Sequence, residues 1–184
     1  MPPASKVVLL PDAGSLITLA YADALDVLFK PGWRVALVDM VLHEVTRSQT
    51  PTSDKLARWV KHHQLTVLAT QTRAQYRQEI TQPGTLPQRK ANLGELAVQE
   101  TINQFALQQP PQTAVFLFED HRIARASFFL PEHCQKISTR AFLMFLEQKG
   151  WIACASAIER QAIQAGRAFS QLRFPPINNG KAPP

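Results

Sequence analysis

The sequence lacks a cysteine framework and any long hydrophobic run. Its cysteines, Cys134 and Cys154, lie far apart and form no CxxC pair, so neither a disulfide nor a zinc site is expected. No stretch reaches the roughly 18 apolar residues that a membrane span needs. The N-terminal MPPASKVV carries one lysine, and the apolar run after it breaks at Pro11, which is not the pattern of a signal peptide. We therefore expect a cytoplasmic protein with no membrane partner.

Positive charge is concentrated in the middle of the chain. The 184 residues are 45% hydrophobic, enough for a compact domain with a sizeable core. Residues 55–90 contain seven basic residues and one acid, and this difference of +6 equals the formal net charge of the whole chain. A local basic segment favours a polyanionic partner, nucleic acid first, and it is equally typical of a solvated surface.

Short apolar runs alternate with amphipathic segments along the whole chain. We interpret the runs as buried strands, and they are 7–10, 34–38, 65–69 and 114–118. Helices are predicted over 15–28, 121–129 and 154–173 and in the first part of 70–91. Three more are predicted to begin at Asp39, at Ser53 or Asp54, and at Asn92, and another is predicted to end at Gly150. This alternation predicts a three-layer α/β/α sandwich with a mostly parallel central sheet.

Acidic residues follow three of the predicted strands. Asp12 ends the first strand, Asp39 the second, and Glu119 and Asp120 the fourth. Because ligands of such sheets bind outside the carboxyl ends of the strands, we expect these acids at one edge of the sheet.

Two further acids, Glu44 and Glu95, lie early in predicted helices. Most of these acids also have a structural explanation: Asp12 and Asp39 are suitable as helix N-caps, and Glu95 stands three residues after Asn92, as in a capping box. Glu44 is different, because it lies a turn inside a helix among apolar residues, where a lone carboxylate would be costly to bury. Several carboxylates in one place call for a hard divalent cation, Mg²⁺ or Mn²⁺.

The order of these motifs resembles the PIN-domain nucleases, especially the VapC-like toxins of prokaryotic toxin–antitoxin pairs. Four segments carry the resemblance: LLPDAGSLI with Asp12 and Ser15, VLHEV with Glu44, NLGELAV with Glu95, and FLFEDHRIARA with Asp120 and Arg125. The closing STRAFLMFLEQKGWI is similar to the last helix of that family. The resemblance covers residues 6–152 and implies a PIN-like nuclease domain over 1–152, with a helical extension and tail over 153–184.

The resemblance implies a metal-dependent endoribonuclease that cleaves RNA phosphodiester bonds. The residues implied as catalytic and as ligands of one or two Mg²⁺ or Mn²⁺ ions are Asp12, Glu44, Glu95 and Asp120. Secondary site residues are Ser15, Asp39 and Glu119, and candidate contacts to RNA are Arg73, Arg77, Arg89 and Lys90. The family also implies an antitoxin protein as partner and a homodimer as assembly.

Two observations bear on the number of metal ions and on another enzyme class, and one alternative function stays open. Arg122 and Ile123 occupy positions where many relatives carry a further acid, which leaves a second metal position open. A haloacid-dehalogenase phosphatase would need a second acid where Gly14 stands. The alternative kept open is a PIN-fold binding protein without turnover, which serves as a scaffold for RNA or a protein partner.

Overall fold

Five parallel strands form one central sheet. The computed structural model describes residues 7–81, 92–119, 130–167 and 174. The strands are β1 Val7–Pro11, β2 Arg34–Val38, β3 Thr66–Leu68, β4 Thr113–Phe118 and β5 Cys134–Ser138, in the order β3-β2-β1-β4-β5. All four neighbouring pairs are parallel. This sheet with its covering helices confirms the predicted α/β fold class.

Seven α-helices and one 3₁₀ helix lie in the described residues. The α-helices are α1 Ala13–Tyr21, α2 Asp39–Thr46, α3 Pro51–His62, α4 Gln71–Thr81, α5 Leu93–Ala106, α6 Thr139–Gln148 and α7 Ala155–Gln164, and the 3₁₀ helix is Leu25–Phe29. None of the helices in these residues is both long and apolar enough to span a membrane. The helix predicted over 121–129 lies outside the described residues.

The strand order reverses between β1 and β4, which is where sheets of this kind have their ligand-binding crevice. The chain runs outward from β1 through β2 to β3, then returns to the other side of β1 as β4. Ligands of parallel sheets bind at such a reversal, outside the carboxyl ends of the two strands. In this chain that position follows Pro11, which is in register with Leu117.

The central strand β1 and the edge strand β5 differ in burial. Residues Val8, Leu9 and Leu10 of β1 have no exposed surface, because helices cover both faces of the central strands. β5, with the sequence CQKIS, was not predicted as a strand. It lies at the edge of the sheet and is only half-buried, and such a strand does not need the continuous apolar run that marks a central strand.

Two helices are shorter than predicted. Helix α1 ends at Tyr21 instead of continuing to residue 28, because Asp23 has a positive φ of 53° and a separate 3₁₀ helix follows. Helix α7 ends at Gln164 rather than residue 173, and Gly166 leaves the helix with a φ of 106°. Helix α7 packs against α1 and α6, so this part of the C-terminal extension lies on the body of the fold.

The predicted N-caps of α2 and α3 were wrong. Asp39 is the first helical residue of α2 rather than its cap, and the cap position is Val38. Helix α3 begins at Pro51 and is capped by Thr50, whose hydroxyl accepts from the Ser53 backbone N–H while the Ser53 hydroxyl accepts from the Thr50 N–H. Ser53 is thus the reciprocal member of this capping box rather than its first residue.

Candidate metal centre

Asp12 lies at the crevice, where β1 passes into α1. Its backbone N–H donates to the Leu117 carbonyl at 2.8 Å, which extends the β1–β4 pairing by one residue. Its side chain caps α1, since Oδ1 accepts from the Ser15 backbone N–H at 2.6 Å. The second oxygen, Oδ2, accepts from the Glu119 backbone N–H at 3.1 Å. Asp12 is therefore both a helix cap and a carboxylate fixed between the ends of β1 and β4.

Burial makes the charged form of Asp12 unfavourable. The residue is 8% exposed, and desolvation raises the pKa of its carboxyl from 3.8 to about 6, against the opposing effect of its hydrogen bonds to Ser15 and Glu119. The charge of Glu119 adds a smaller upward effect. A positive charge nearby would favour the charged form of a carboxylate buried in this way.

Two buried hydroxyl groups hold Asp12 in place. The Ser15 hydroxyl donates to Asp12 Oδ1 and lies 2.7 Å from the Thr139 hydroxyl, which in turn lies 3.0 Å from the Phe118 carbonyl. Both hydroxyl residues have no exposed surface. Ser15 was predicted as a secondary site residue beside Asp12. Thr139 was not predicted, although its position at the start of the helix that follows β5 places it at the same edge of the sheet.

Glu119 is buried directly after β4. The residue is 4% exposed, and its Oε1 lies 3.6 Å from Nη2 of Arg167, which follows α7. A Cβ atom added to Gly14 would lie 3.1 Å from the Glu119 Cβ and 3.6 Å from each carboxylate oxygen of Asp12. Glycine therefore allows the side chains of Glu119 and Asp12 to lie close together. Asp120, the neighbouring candidate, lies outside the described residues.

Glu44 contacts the beginning of helix α5. Its Oε1 accepts from the Gly94 backbone N–H at 3.1 Å, and burial raises the pKa of its carboxyl above the ordinary range. Asn92 occupies the predicted N-cap position of α5, with a left-handed φ of 68°, but its side chain makes no cap hydrogen bond. A carboxylate from α2 serves this helix start instead, in the favourable field of the helix dipole. Glu95, the next candidate, follows Gly94 directly and is half-buried.

Asp39 connects two elements. Its carboxylate accepts from the Thr70 backbone N–H at 3.0 Å and from the Thr70 hydroxyl at 2.7 Å. This pair of hydrogen bonds ties the beginning of α2 to the residue before α4. Both oxygens of Asp39 therefore have protein partners that explain its position.

Two of the predicted RNA-contacting residues lie on α4 beside α2. The Arg73 guanidinium lies 5.4 Å from the centre of the Tyr76 ring, and the His43 ring lies 5.5 Å from the same ring. Burial, followed by the charges of Arg73, Arg47 and Arg77, lowers the pKa of His43. His43 is half-buried beside α4. Arg89 and Lys90 lie outside the described residues.

The structure places the predicted acids in two pairs of contacts. Asp12 is bound to the backbone of Glu119, and Glu44 is bound to the backbone of Gly94, next to Glu95. Within residues 7–81, 92–119 and 130–167, no three His, Cys, Asp or Glu side chains come close enough to hold a metal ion. The assignment of the four acids to one metal site stays a prediction, and Asp120 is the member that these ranges do not include.

No protein-family model and no curated protein matches the sequence. Among solved structures, the chain is similar to the PIN domain of RRP44 from T. brucei, with 13% sequence identity and a TM-score of 0.47. The similarity covers 78% of this chain and 81% of that one.

Proposed function

We propose that this protein is a metal-dependent endoribonuclease of the PIN-domain kind. The observation that carries the proposal is the Asp12 carboxylate, which is buried at the strand-order reversal and has a pKa raised to about 6. Parallel sheets bind ligands at this position. A carboxyl group with a shifted pKa in such a crevice is a candidate functional residue, because catalytic groups need surroundings that shift their pKa values.

The proposed site takes one acid from each of four segments. Asp12, Glu44, Glu95 and Asp120 would hold Mg²⁺ or Mn²⁺ through carboxylate oxygens, the donors that these ions prefer. The bound ion would lower the pKa of a water molecule and neutralise charge on the phosphate.

The chain's own residues orient this site. Ser15 and the Glu119 backbone N–H fix the two oxygens of Asp12, and the Gly94 N–H fixes one oxygen of Glu44. A fixed carboxylate needs little reorganisation when a ligand binds, which favours a preorganised site.

The basic residues of α4 support RNA as the substrate. Arg73 and Arg77 lie on the helix that packs against α2 and α5, the two helices that carry Glu44 and Glu95. Contacts from guanidinium groups to phosphates position a strand without reading its sequence. The products would be a 5′-phosphate and a 3′-hydroxyl, as the family resemblance implies.

The test is cleavage of a defined single-stranded RNA by purified protein in Mg²⁺, Mn²⁺ or EDTA, with Asp12→Asn as the control. We expect cleavage by the wild type in the presence of either metal, and none in EDTA or by the variant. Metal binding without cleavage would instead favour the alternative, a PIN-fold scaffold that binds RNA or a partner. Equal cleavage by wild type and variant would reveal a contaminating nuclease and remove the support for this function.

We further propose that the nuclease acts as the toxin of a toxin–antitoxin pair and forms a homodimer. Expression of the chain alone should arrest bacterial growth, whereas expression of Asp12→Asn should not. Light scattering of the purified protein should give the mass of two chains. Unchanged growth together with RNA cleavage in vitro would leave the nuclease function and remove the toxin role.

A further inference from the structure

A group of aromatic and basic side chains lies where α4 packs beside α2. Its members are His43 and Arg47 at the end of α2, and Arg73, Tyr76 and Arg77 on α4. We call this group the α2–α4 patch. The spacing of three or four residues places each set on one face of its helix. Arg47 and Arg77 are exposed and the other three members are half-buried, so the patch reaches the protein surface.

The Tyr76 ring joins the two helices within this patch. The centre of the His43 ring lies 5.5 Å from the centre of the Tyr76 ring, with an angle of 51° between the ring planes. The guanidinium carbon of Arg73 lies 5.4 Å from the same ring centre, which is the distance of a cation–π contact. The Tyr76 ring is thus held by one contact from α2 and one from its own helix. A side chain that is already held loses little conformational entropy when a ligand packs against it.

Helix α4 contributes little to the core. None of its residues is buried, and Tyr76 packs only against the edge of the core. Its sequence, QTRAQYRQEIT, is polar apart from this ring, one isoleucine and one alanine. The aromatic side chain therefore lies on a surface helix, next in sequence to one arginine and three residues after another.

The surroundings of the Tyr76 ring are strongly positive. The charges of Arg73, Arg47 and Arg77 all act on His43. Within residues 7–81, 92–119 and 130–167, none of these arginines forms an ion pair with a carboxylate. Nη1 of Arg73 is buried and has no hydrogen-bond partner in the same ranges. The charge of Arg47 also acts on Glu44, so the patch borders the α2 carboxylate of the proposed site. Such a surface attracts a polyanion.

We propose that the Tyr76 ring, held by His43, stacks on one unpaired base of the RNA strand, while the arginines of the patch contact the phosphates around that base. Proteins that bind single strands combine basic surfaces with aromatic rings in this way, and stacking accepts any base because every base has a π face. In a duplex the bases stack on one another, so the base must be unpaired. The inference rests on RNA as the substrate in the proposed function and adds that Tyr76 contacts a base.

The experiment measures RNA binding by the full chain in EDTA, where metal-dependent cleavage does not occur. Fluorescence anisotropy gives the dissociation constant of a short labelled single-stranded RNA at several salt concentrations. A second labelled probe has the same length and the same phosphates, but its sugars carry no bases. The variants are Tyr76→Leu, Tyr76→Phe and Trp151→Leu. Trp151 is the matched control, because it is a 39% exposed aromatic residue that packs against Phe145, whose ring lies 5.8 Å from the Lys149 ammonium.

Tyr76→Leu should weaken RNA binding by about 5- to 150-fold, the range that corresponds to the loss of one stacked base. The slope of log affinity against log salt should not change, because tyrosine carries no charge in contact with a phosphate. Tyr76→Phe keeps the ring and should bind RNA as the wild type does, and so should Trp151→Leu. The probe without bases should bind equally to the wild type and to Tyr76→Leu, and more weakly than RNA binds to the wild type.

Several outcomes would overturn the inference while the nuclease proposal stands. One is an RNA affinity of Tyr76→Leu equal to that of the wild type. Another is a lower salt slope in Tyr76→Leu, or an equal loss of affinity for the probe without bases, because the ring would then serve only to place Arg73 for a phosphate contact. If Tyr76→Leu does not fold, Tyr76→Met takes its place in every comparison, since a flexible methionine fills irregular apolar space.

The same measurements separate this inference from the proposed function. A wild type that binds no RNA would remove RNA as the substrate, and the inference with it. Base-dependent RNA binding in EDTA, without cleavage when Mg²⁺ or Mn²⁺ is added, would remove the nuclease activity and leave the stacking site at Tyr76.

Discussion

The Glu44 carboxylate of α2 accepts a hydrogen bond from the Gly94 backbone N–H, 3.1 Å away at the start of α5. A Cβ atom at position 94 would lie 2.6 Å from Glu44 Oε2. The absence of a side chain at Gly94 is therefore what allows the carboxylate to reach this position. The contact joins two segments of the proposed site that are far apart in the sequence.

Gly94→Ala should displace Glu44 and leave the fold intact. The new methyl group meets the end of a flexible side chain, which can move, while alanine favours the helix by up to about 1 kcal/mol relative to glycine. We expect a near-unchanged free energy of unfolding and a weaker Mn²⁺ affinity, measured by calorimetry. In a Glu44→Gln background the same substitution should have no further effect on affinity. Equal losses in both backgrounds would show that Gly94 acts independently of Glu44.

Asp12 should reduce the stability of the metal-free protein as pH rises from about 4 to 6. Its folded-state pKa is raised from 3.8 to about 6, so in this window the folded protein holds a proton that the unfolded chain releases. The unfavourable contribution reaches at most about 3 kcal/mol above pH 6, at about 1.4 kcal/mol per pKa unit. The check is the free energy of unfolding of the wild type minus that of Asp12→Asn, measured by urea unfolding in EDTA at each pH. A difference that stays level or increases across the window would contradict the account.

The hydroxyl groups of Ser15 and Thr139 should determine how well Asp12 is held. Ser15→Ala removes a hydrogen bond that lowers the pKa of Asp12, so the pKa should rise further, as measured by NMR of the carboxyl carbon. Thr139→Val should reduce the free energy of unfolding by about 1–2 kcal/mol, because Ser15 loses a buried partner. Thr139→Ser retains the hydroxyl and serves as the control. An unchanged Asp12 pKa in Ser15→Ala would show that this bond is unimportant.

Arg73 and Arg77 should contribute to RNA binding through phosphate contacts. Replacing both by alanine in an Asp12→Asn background should lower the slope of log affinity against log salt by about 1.4, or about 0.7 for each contact to a single strand. Fluorescence anisotropy with labelled RNA measures the slope. The matched control replaces Arg34 and Arg58, which are exposed at the amino end of β2 and on α3. The same reduction in both double variants would indicate a general effect of net charge.

The central part of the fold could be predicted from the sequence because its signals are local. A strand that is buried on both faces, such as β1, is a continuous apolar run, and Asp12 directly after it marks the strand end. The parallel order then follows from the alternation of strands and helices. Edge strand β5 could not be predicted in the same way, since its exposed residues dilute the apolar pattern.

The contacts that shape the candidate site have no local signal. Glu44 meets Gly94, Asp12 meets Glu119, and Arg167 meets Glu119 only after the strands have paired and the helices have packed. The sequence could identify Glu44 as an unusual acid in an apolar surrounding. It could not identify Gly94 as the position that accommodates it, nor Arg167 as the partner of a strand-end acid.

The central claim is that Asp12, Glu44, Glu95 and Asp120 together form one site that binds a divalent cation at the carboxyl edge of the sheet. Anomalous scattering from a crystal soaked in Mn²⁺ tests it most directly. The account predicts a peak within about 2.3 Å of a carboxylate oxygen of Asp12, with the other three acids around it directly or through water. A crystal at full Mn²⁺ saturation with no peak beside Asp12, and with Glu44 and Glu95 directed away from it, would contradict the account.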